Sequence, residues 1–398
     1  MKRLNVLIAL MLTIGSSYAQ NPIPIWQQSI GGSGNDGLGK VEDPTSDEYF
    51  LIGSSDSNIS GDKTDDSRGL SDIWIVKMDA NNAILWDKTI GGDQFEWVEL
   101  AQVINNQLFI LCRSNSSISG EKTIAPYSVS GTYDQWLLCC DLSGNILWQR
   151  LYGGDQDEFV SDMLLLPNNN LLLGITSESG ISGNKTEDAI GGQDLWFVEI
   201  STSNGDIVSQ KTVGSDNNEI MKDMLLSSNG NILILSRSET GASGDKSDSG
   251  YGQWDVWLIE MDMNFNVLQD KCFGGSGQED TFGGAMIYQD GYYYMATSSS
   301  SDPSGNKTAS YRGSFDAFER DDYWILKLDP NFDIVWDVSF GGTADDFCSG
   351  LFFNAWNKLV ISGNSESGIS GGVPWGPFFW DFGGFWPFSP ILAPLGAL

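Results

Sequence analysis

Short apolar runs alternate with clusters of Gly, Asn, Asp and Ser along almost the whole chain. One set falls at 98–104, 107–112, 135–140 and 146–151, each run rich in β-branched, aromatic and aliphatic residues. Runs of that length with turn residues between them predict strands joined by tight turns. Past the N-terminal leader no segment keeps a capped 3.6-residue apolar stripe, so no helix is predicted. Residues 73–76 and 324–326 are apolar at consecutive positions. Strands of that kind bury both faces, which places them in sheets packed between other sheets.

The runs belong to a repeating unit. A glycine turn follows an apolar run at Gly31, Gly91, Gly153, Gly214, Gly274 and Gly341, at spacings of 60, 62, 61, 60 and 67 residues. Three further marks recur with it. Ser-Gly-x-Lys-Thr/Ser starts at Ser60, Ser119, Ser182, Ser243 and Ser304; Asp-x-Trp follows at Asp72, Asp134, Asp194, Asp255 and Asp322; a last run bears Trp26, Trp86, Trp148 or Trp336, with Ser209 and Gln269 in two units. Four antiparallel strands per unit make one blade of a β-propeller. The expected fold is all-β, a six-bladed β-propeller of four-stranded antiparallel blades. Residues 23–30 supply the outer strand of the last blade and so close the ring, which removes exposed sheet edges.

The last unit departs from the pattern. Val373 stands where Lys is expected and Asp-x-Trp is missing; residues 378–382 are the candidate third strand of that blade. The organisation read is a signal peptide at 1–19, the propeller at 20–372, and a Pro- and aromatic-rich segment at 373–398 that completes the last blade. Lys2 and Arg3, the apolar run 4–14 and the small-residue end Ser17-Tyr18-Ala19 carry the signal-peptide reading, with export to the periplasm, cell surface or beyond. Five prolines past residue 373 oppose a spanning helix there, and no transmembrane segment is read elsewhere.

The net charge of −32 excludes nucleic acid as a partner, because an anion of this size repels phosphate backbones. Five cysteines, an odd number without a repeating framework, are read mainly as buried thiols, with one bridge from Cys112 to Cys139 or Cys140 left open.

The joint recurrence of Gly-Gly-x-x-x-Asp/Glu, Ser-Gly-x-Lys-Thr and Asp-x-Trp-x-x-Lys-x-Asp over residues 21–372 resembles the repeat of secreted propeller-like proteins of Bacteroidota, many of which carry a type IX secretion sorting domain. The resemblance implies a secreted propeller and no particular activity. No β-sandwich sorting domain is read after the repeats. The Asp-turn-Trp element is also similar to quinoprotein-type propeller repeats, without implying that cofactor.

The chain has no histidine, which removes His-dependent triads and His-ligated zinc. Asp36, Glu96, Glu158, Glu219, Glu279 and Asp346 each stand five residues after the first turn glycine. They form a ring at the channel mouth, either accepting N–H bonds from their own turns or, in a second reading, holding Ca²⁺. The Lys of Ser-Gly-x-Lys and the Asp of Asp-x-Trp are expected to pair and fasten the loop between the second and third strands. The Trp series is blade packing. Recognition falls to residues that vary between units: Tyr127, Tyr133, Tyr251, Trp254, Tyr311, Phe315 and Phe318, on loops at one face, suited to a glycan or protein contact or folded down as loop cores. The expected protein is a monomeric, non-catalytic binding or structural module without a cofactor. The alternative is an extracellular carbohydrate-active enzyme, hydrolase or lyase, using channel carboxylates.

Overall fold

The structure, a computed structural model, describes residues 28–45, 47–127, 132–239, 241–310, 321–354, 356–367 and 393–394. Among them there is no helix. The first sheet is β1 (Asp36–Thr45), β2 (Glu48–Ser55), β3 (Asp72–Asp79) and β4 (Ile84–Ile90). The second is β5 (Glu96–Ile104), β6 (Gln107–Ser114), β7 (Asp134–Asp141) and β8 (Ile146–Tyr152). The third is β9 (Glu158–Leu165), β10 (Asn170–Ser177), β11 (Asp194–Ser201) and β12 (Ile207–Val213). Next come β13 (Glu219–Leu226), β14 (Ile232–Glu239), β15 (Trp254–Met261) and β16 (Val267–Phe273), then β17 (Glu279–Gln289), β18 (Tyr292–Ser299), β19 (Asp322–Leu328) and β20 (Ile334–Phe340). The last sheet holds β21 (Asp346–Phe353), β22 (Leu359–Ser365) and β23 (Ala393–Pro394). Chain order is strand order in every sheet and all pairings are antiparallel, so each of the first five units is a four-stranded meander, the last sheet has three described strands, and the fold is propeller-like.

Within each unit the first strand carries a bulge, as between Leu38 and Lys40 or Met221 and Asp223. An extra residue there raises the local twist, which lets successive sheets stack face to face. The first strand of each later sheet packs against the sheet before it, as β13 does against β9, β10 and β11 and β17 against β13, β14 and β15. The apolar cores lie in these seams. Phe109 and Leu111 of the second unit meet Leu173 and Trp196 of the third in one cluster, and Leu233 and Leu258 of the fourth meet Met295 and Trp324 of the fifth in another. Ile73, Trp74, Ile75 and Val76 are all fully buried, as consecutive apolar residues in a two-sided strand should be.

The expected outer strand at 23–30 is described only at 28–30, which is not in a strand; 23–27, the leader at 1–19 and the candidate strand 378–382 lie outside the described residues. A different segment pairs with the edge of β22, with Ile361 opposite Ala393 and Val360 opposite Pro394. No bridge joins Cys112 to Cys139 or Cys140. Cys112 stands opposite Trp136 while Cys139 and Cys140 stand opposite Phe109 and Leu108, farther along the ladder, and all five thiols are free and buried. Burial raises the Cys139 thiol to about 11 and Cys140 to about 12, so both are inert.

Candidate functional site

The recurring marks build one device at the end of the sheets where the first strands begin. Glu96 Oε2 accepts the Gly92 N–H at 2.8 Å and Oε1 accepts the Ser114 hydroxyl at 2.6 Å. Glu158, Glu279 and Asp346 hold their turns likewise through Gly154, Gly275 and Gly342 N–H, and Asp36 through Gly32 N–H. The fourth unit has Ser215 in place of the second glycine. Its N–H and hydroxyl both donate to Glu219, at 2.7 and 2.6 Å. Glu96, Glu158, Glu219, Glu279 and Asp346 are fully buried, while Asp36, whose unit has no described unit before it, is partly buried. The six acids thus hold equivalent places in their units, with oxygens directed at N–H and O–H donors. Such a donor set favours the carboxylate and offers little to a hard cation. Among the described residues no group of three or more His, Cys, Asp and Glu side chains converges.

The Ser-Gly-x-Lys-Thr loop closes over the same turn. In the second unit Ser119 Oγ accepts the Asp93 N–H at 2.8 Å and Glu121 accepts the Gly91 N–H at 3.1 Å. Gln149 accepts both the Thr123 N–H and the Trp136 indole N–H, tying the loop to the outer strand. Lys122 is fully buried and donates to Ser114 Oγ at 2.9 Å and to the Ser116 carbonyl at 2.7 Å.

The expected Lys–Asp pair does not form. None of the ion pairs among the described residues joins this lysine series to the Asp-x-Trp aspartates. Each fastens the loop separately: the lysine reaches the serines that also hold the turn acid, while the aspartate caps loop N–H groups, as Asp255 Oδ2 does for Tyr251 at 2.8 Å. A buried ammonium needs several short-range acceptors, and carbonyl and hydroxyl oxygens supply them without a contact ion pair.

The candidate aromatics separate into two kinds. Tyr127 and Tyr251 lie over Gly183 and Gly305, glycines at φ +56° and +59°, where a Cβ would stand 3.0 and 2.7 Å from the tyrosine Cγ. Arg68 and Ile190 take the same place over Gly120 and Gly244, so the position is a cover for the next unit whatever residue fills it. Tyr133 and Trp254, each directly before an Asp-x-Trp aspartate, stack with arginine instead. Arg113 stands 5.9 Å from the Tyr133 ring and 5.4 Å from Phe159, and Arg237 stands 4.2 Å from the Trp254 ring. Tyr311, Phe315 and Phe318 lie outside the described residues.

The two arginines escaped notice in the sequence, although the repeat holds their signal. Directly before the recurring serine of the second strand stand Ser54, Arg113, Thr176, Arg237 and Ser298. The three hydroxyls each accept an N–H from the next unit's first strand, from Val98 at 2.9 Å, Met221 at 3.0 Å and Cys348 at 3.1 Å. Arginine has no acceptor for that bond. The seams therefore alternate, hydroxyl-tied after units one, three and five and arginine-stacked after units two and four.

Around Trp254 and Arg237 opens a cleft of about 450 Å³, lined also by Glu178, Gln193, Asn218 and Ile220. It sits where the third and fourth units meet, at the end carrying the glycine turns. Gln193 Nε2 donates to Glu178 Oε1 at 2.7 Å, and Asn218 Oδ1 accepts the Gln193 N–H at 3.0 Å. These bonds orient one carboxylate and two amides beside an aromatic ring. A second, smaller cleft of about 250 Å³ beside Tyr127 is lined in part by Arg150, which pairs with Asp206 at 2.9 Å.

One acid pair breaks the repeat in the first strands. Asp162 Oδ2 accepts the Met224 N–H at 2.8 Å and Asp223 Oδ2 accepts the Met286 N–H at 2.7 Å, each reaching into the next unit. Burial, and then the charge of Asp162, push Asp223 up to about 7.

No family model matches the chain, and no curated protein does. Among solved structures it is similar to a protein of unknown function from Bacteroides caccae, at 13% identity and TM-score 0.40 over 79% of this chain and 82% of that one. It is also similar to the Neurospora crassa Pan2 WD40 domain, at 8% identity and TM-score 0.41 over 83% and 72% of the two chains. A third is a thermostable family-43 glycoside hydrolase, at 10% identity and TM-score 0.36 over 77% and 95%.

Proposed function

We propose that the chain is an exported, non-catalytic binding module, a monomeric six-bladed β-propeller closed by residues 23–30, kin to the secreted repeat proteins of Bacteroidota, whose ligand is a glycan. The observation that carries this reading is the cleft at Trp254. Trp254 and Arg237 stand at positions whose residue changes from unit to unit, whereas the acid, lysine and tryptophan series recur with the same part in each unit that carries them. An indole beside oriented amide and carboxylate groups suits a sugar, whose C–H face packs on a ring while vicinal hydroxyls bond to planar polar groups. A glycan-array screen of the protein without residues 1–19, followed by titration calorimetry on the hits, tests it. Selective binding of one saccharide class is expected; an empty array, with a protein pulled from the native surroundings instead, would replace glycan by protein as the ligand.

A second reading, a carbohydrate-active hydrolase or lyase, has one observation in its favour, the proximity of Asp223 to Asp162 and the raised position of Asp223. Both carboxylates already bind backbone N–H groups of the neighbouring unit, a stapling role that leaves the module reading the stronger. Turnover of any array-positive glycan that disappears in Asp223→Asn would reverse that ranking.

A further inference from the structure

Four seams between successive units set two buried carboxyls against one glycine. At Gly274 a Cβ would overlap both Asp255 Oδ1, from the fourth unit, and Glu279 Oε2, from the fifth. Gly153 is flanked in the same way by Asp134 and Glu158, Gly214 by Asp194 and Glu219, and Gly341 by Asp322 and Asp346. All eight acids are fully buried. The aspartate uses Oδ2 for its own loop and turns Oδ1 toward the next unit, as Asp255 does with Tyr251 and Gly252 on one side and Gly274 on the other. At the first seam Asp72 Oδ1, in contact range of Gly91, is buried without a hydrogen-bond donor.

Two ionised carboxylates in a dry contact repel, and neither can donate a hydrogen bond. Asp255 Oδ1 and Glu279 Oε2 would both overlap a single Cβ at Gly274, so two acceptor oxygens face the same buried spot. A proton on one of them removes the repulsion and supplies a donor. The other charged or titratable groups facing the pair are Lys246, the Cys272 thiol and the Tyr251 phenol beside Asp255, and Lys307 beside Glu279. The two ammonium groups are turned to other acceptors, Lys246 to Ser238 Oγ and the Glu239 carbonyl and Lys307 to the Ser301 carbonyl. Lysine therefore offsets the charge without supplying the missing donor.

We propose that the seams at Gly153 and Gly274 are proton-loaded: the turn glutamate, Glu158 or Glu279, shares one proton with the aspartate of the preceding unit, Asp134 or Asp255, and the stack of sheets tightens in mild acid and loosens as the solution becomes alkaline. Burial is the leading cause that raises Glu158 to about 7 and shifts Glu96, Glu279, Asp194 and Asp346 upward. A carboxyl whose proton is held more tightly in the folded chain stabilises the fold fully below its ordinary value, 4.5 for Glu158, and loses that contribution as pH rises through about 7. Asp223 titrates in the same window at a different place, so Asp223→Asn is the background in which the seams are read.

The test is the melting temperature of the full chain, in that background, between pH 5 and pH 8.5. A fall across the window is expected, with a clearly shallower fall when Glu158→Gln and Glu279→Gln are added, because glutamine keeps a donor at every pH. Equal slopes with and without the two glutamines would overturn the proposal. Should the glutamine variant fail to fold, refolding calorimetry of the background protein near pH 6, in buffers of different ionisation heat, counts the protons directly. Uptake of about two or more per chain is expected; fewer than two would overturn it.

Discussion

The guanidinium of Arg237 lies over the indole of Trp254, 4.2 Å from its centroid, at the mouth of a cleft that gathers polar groups from two units. A stack of this kind holds the ring in one orientation and contributes about 0.5–1 kcal/mol at an exposed site. Trp254→Ala should therefore abolish glycan binding, a loss of about 2 kcal/mol or more for an aromatic anchor, while costing the fold little more than the stack. Calorimetric titration and thermal melting of the variant check both halves. A large drop in melting temperature with affinity retained would make Trp254 a loop core.

Gly274 has no room for a side chain, since a Cβ would enter the space of Asp255 and Glu279. Gly274→Ala should cost about 1–3 kcal/mol or more, the usual range for overpacking. Gly39→Ala is the control, with nothing within 4 Å of the added carbon, and should stay within about 0.5 kcal/mol of the parent. Urea midpoints that shift equally for both variants would refute the crowding.

Thr176 offers its hydroxyl to the buried N–H of Met221 across the third seam at 3.0 Å. Thr176→Val keeps the shape and removes the acceptor, so an orphaned N–H costing about 1–3 kcal/mol is expected. An unchanged denaturation midpoint would show that the seam does not depend on this bond.

Ring closure through residues 23–30 predicts that deleting 21–30 exposes a sheet edge and lowers the melting temperature. A truncated protein that melts with the full chain would dismiss the closure.

The turn acids already accept N–H and O–H donors, as Glu96 does from Gly92 and Ser114. Titration with Ca²⁺ should give no saturable heat. A saturable signal lost in Glu96→Gln would establish the cation site in place of turn capping.

How far the sequence reaches is shown by the lysines. Their period and their role in fastening the loop were readable because a repeat imposes the same local environment on every copy, and Lys122 and Lys246 occupy matching buried places. Their partners were not readable. Lys and Asp of one loop are near in sequence, but Asp255 spends one oxygen on its own loop and turns the other to the following unit's Gly274.

The strand pattern, the six-fold recurrence of turn and acid, the five-fold recurrence of Asp-x-Trp, and the absence of histidine chemistry were determined by the sequence alone. They depend on local alternation and on composition, which need no knowledge of what lies across a seam. Only the tertiary structure decided that Tyr127 and Tyr251 cover glycines while Trp254 borders a cleft, that hydroxyl and arginine seams alternate, and that acids from adjoining units meet. Those are contacts between residues on different sheets, fixed by how the twisted sheets stack, and no single unit carries that information in its own period.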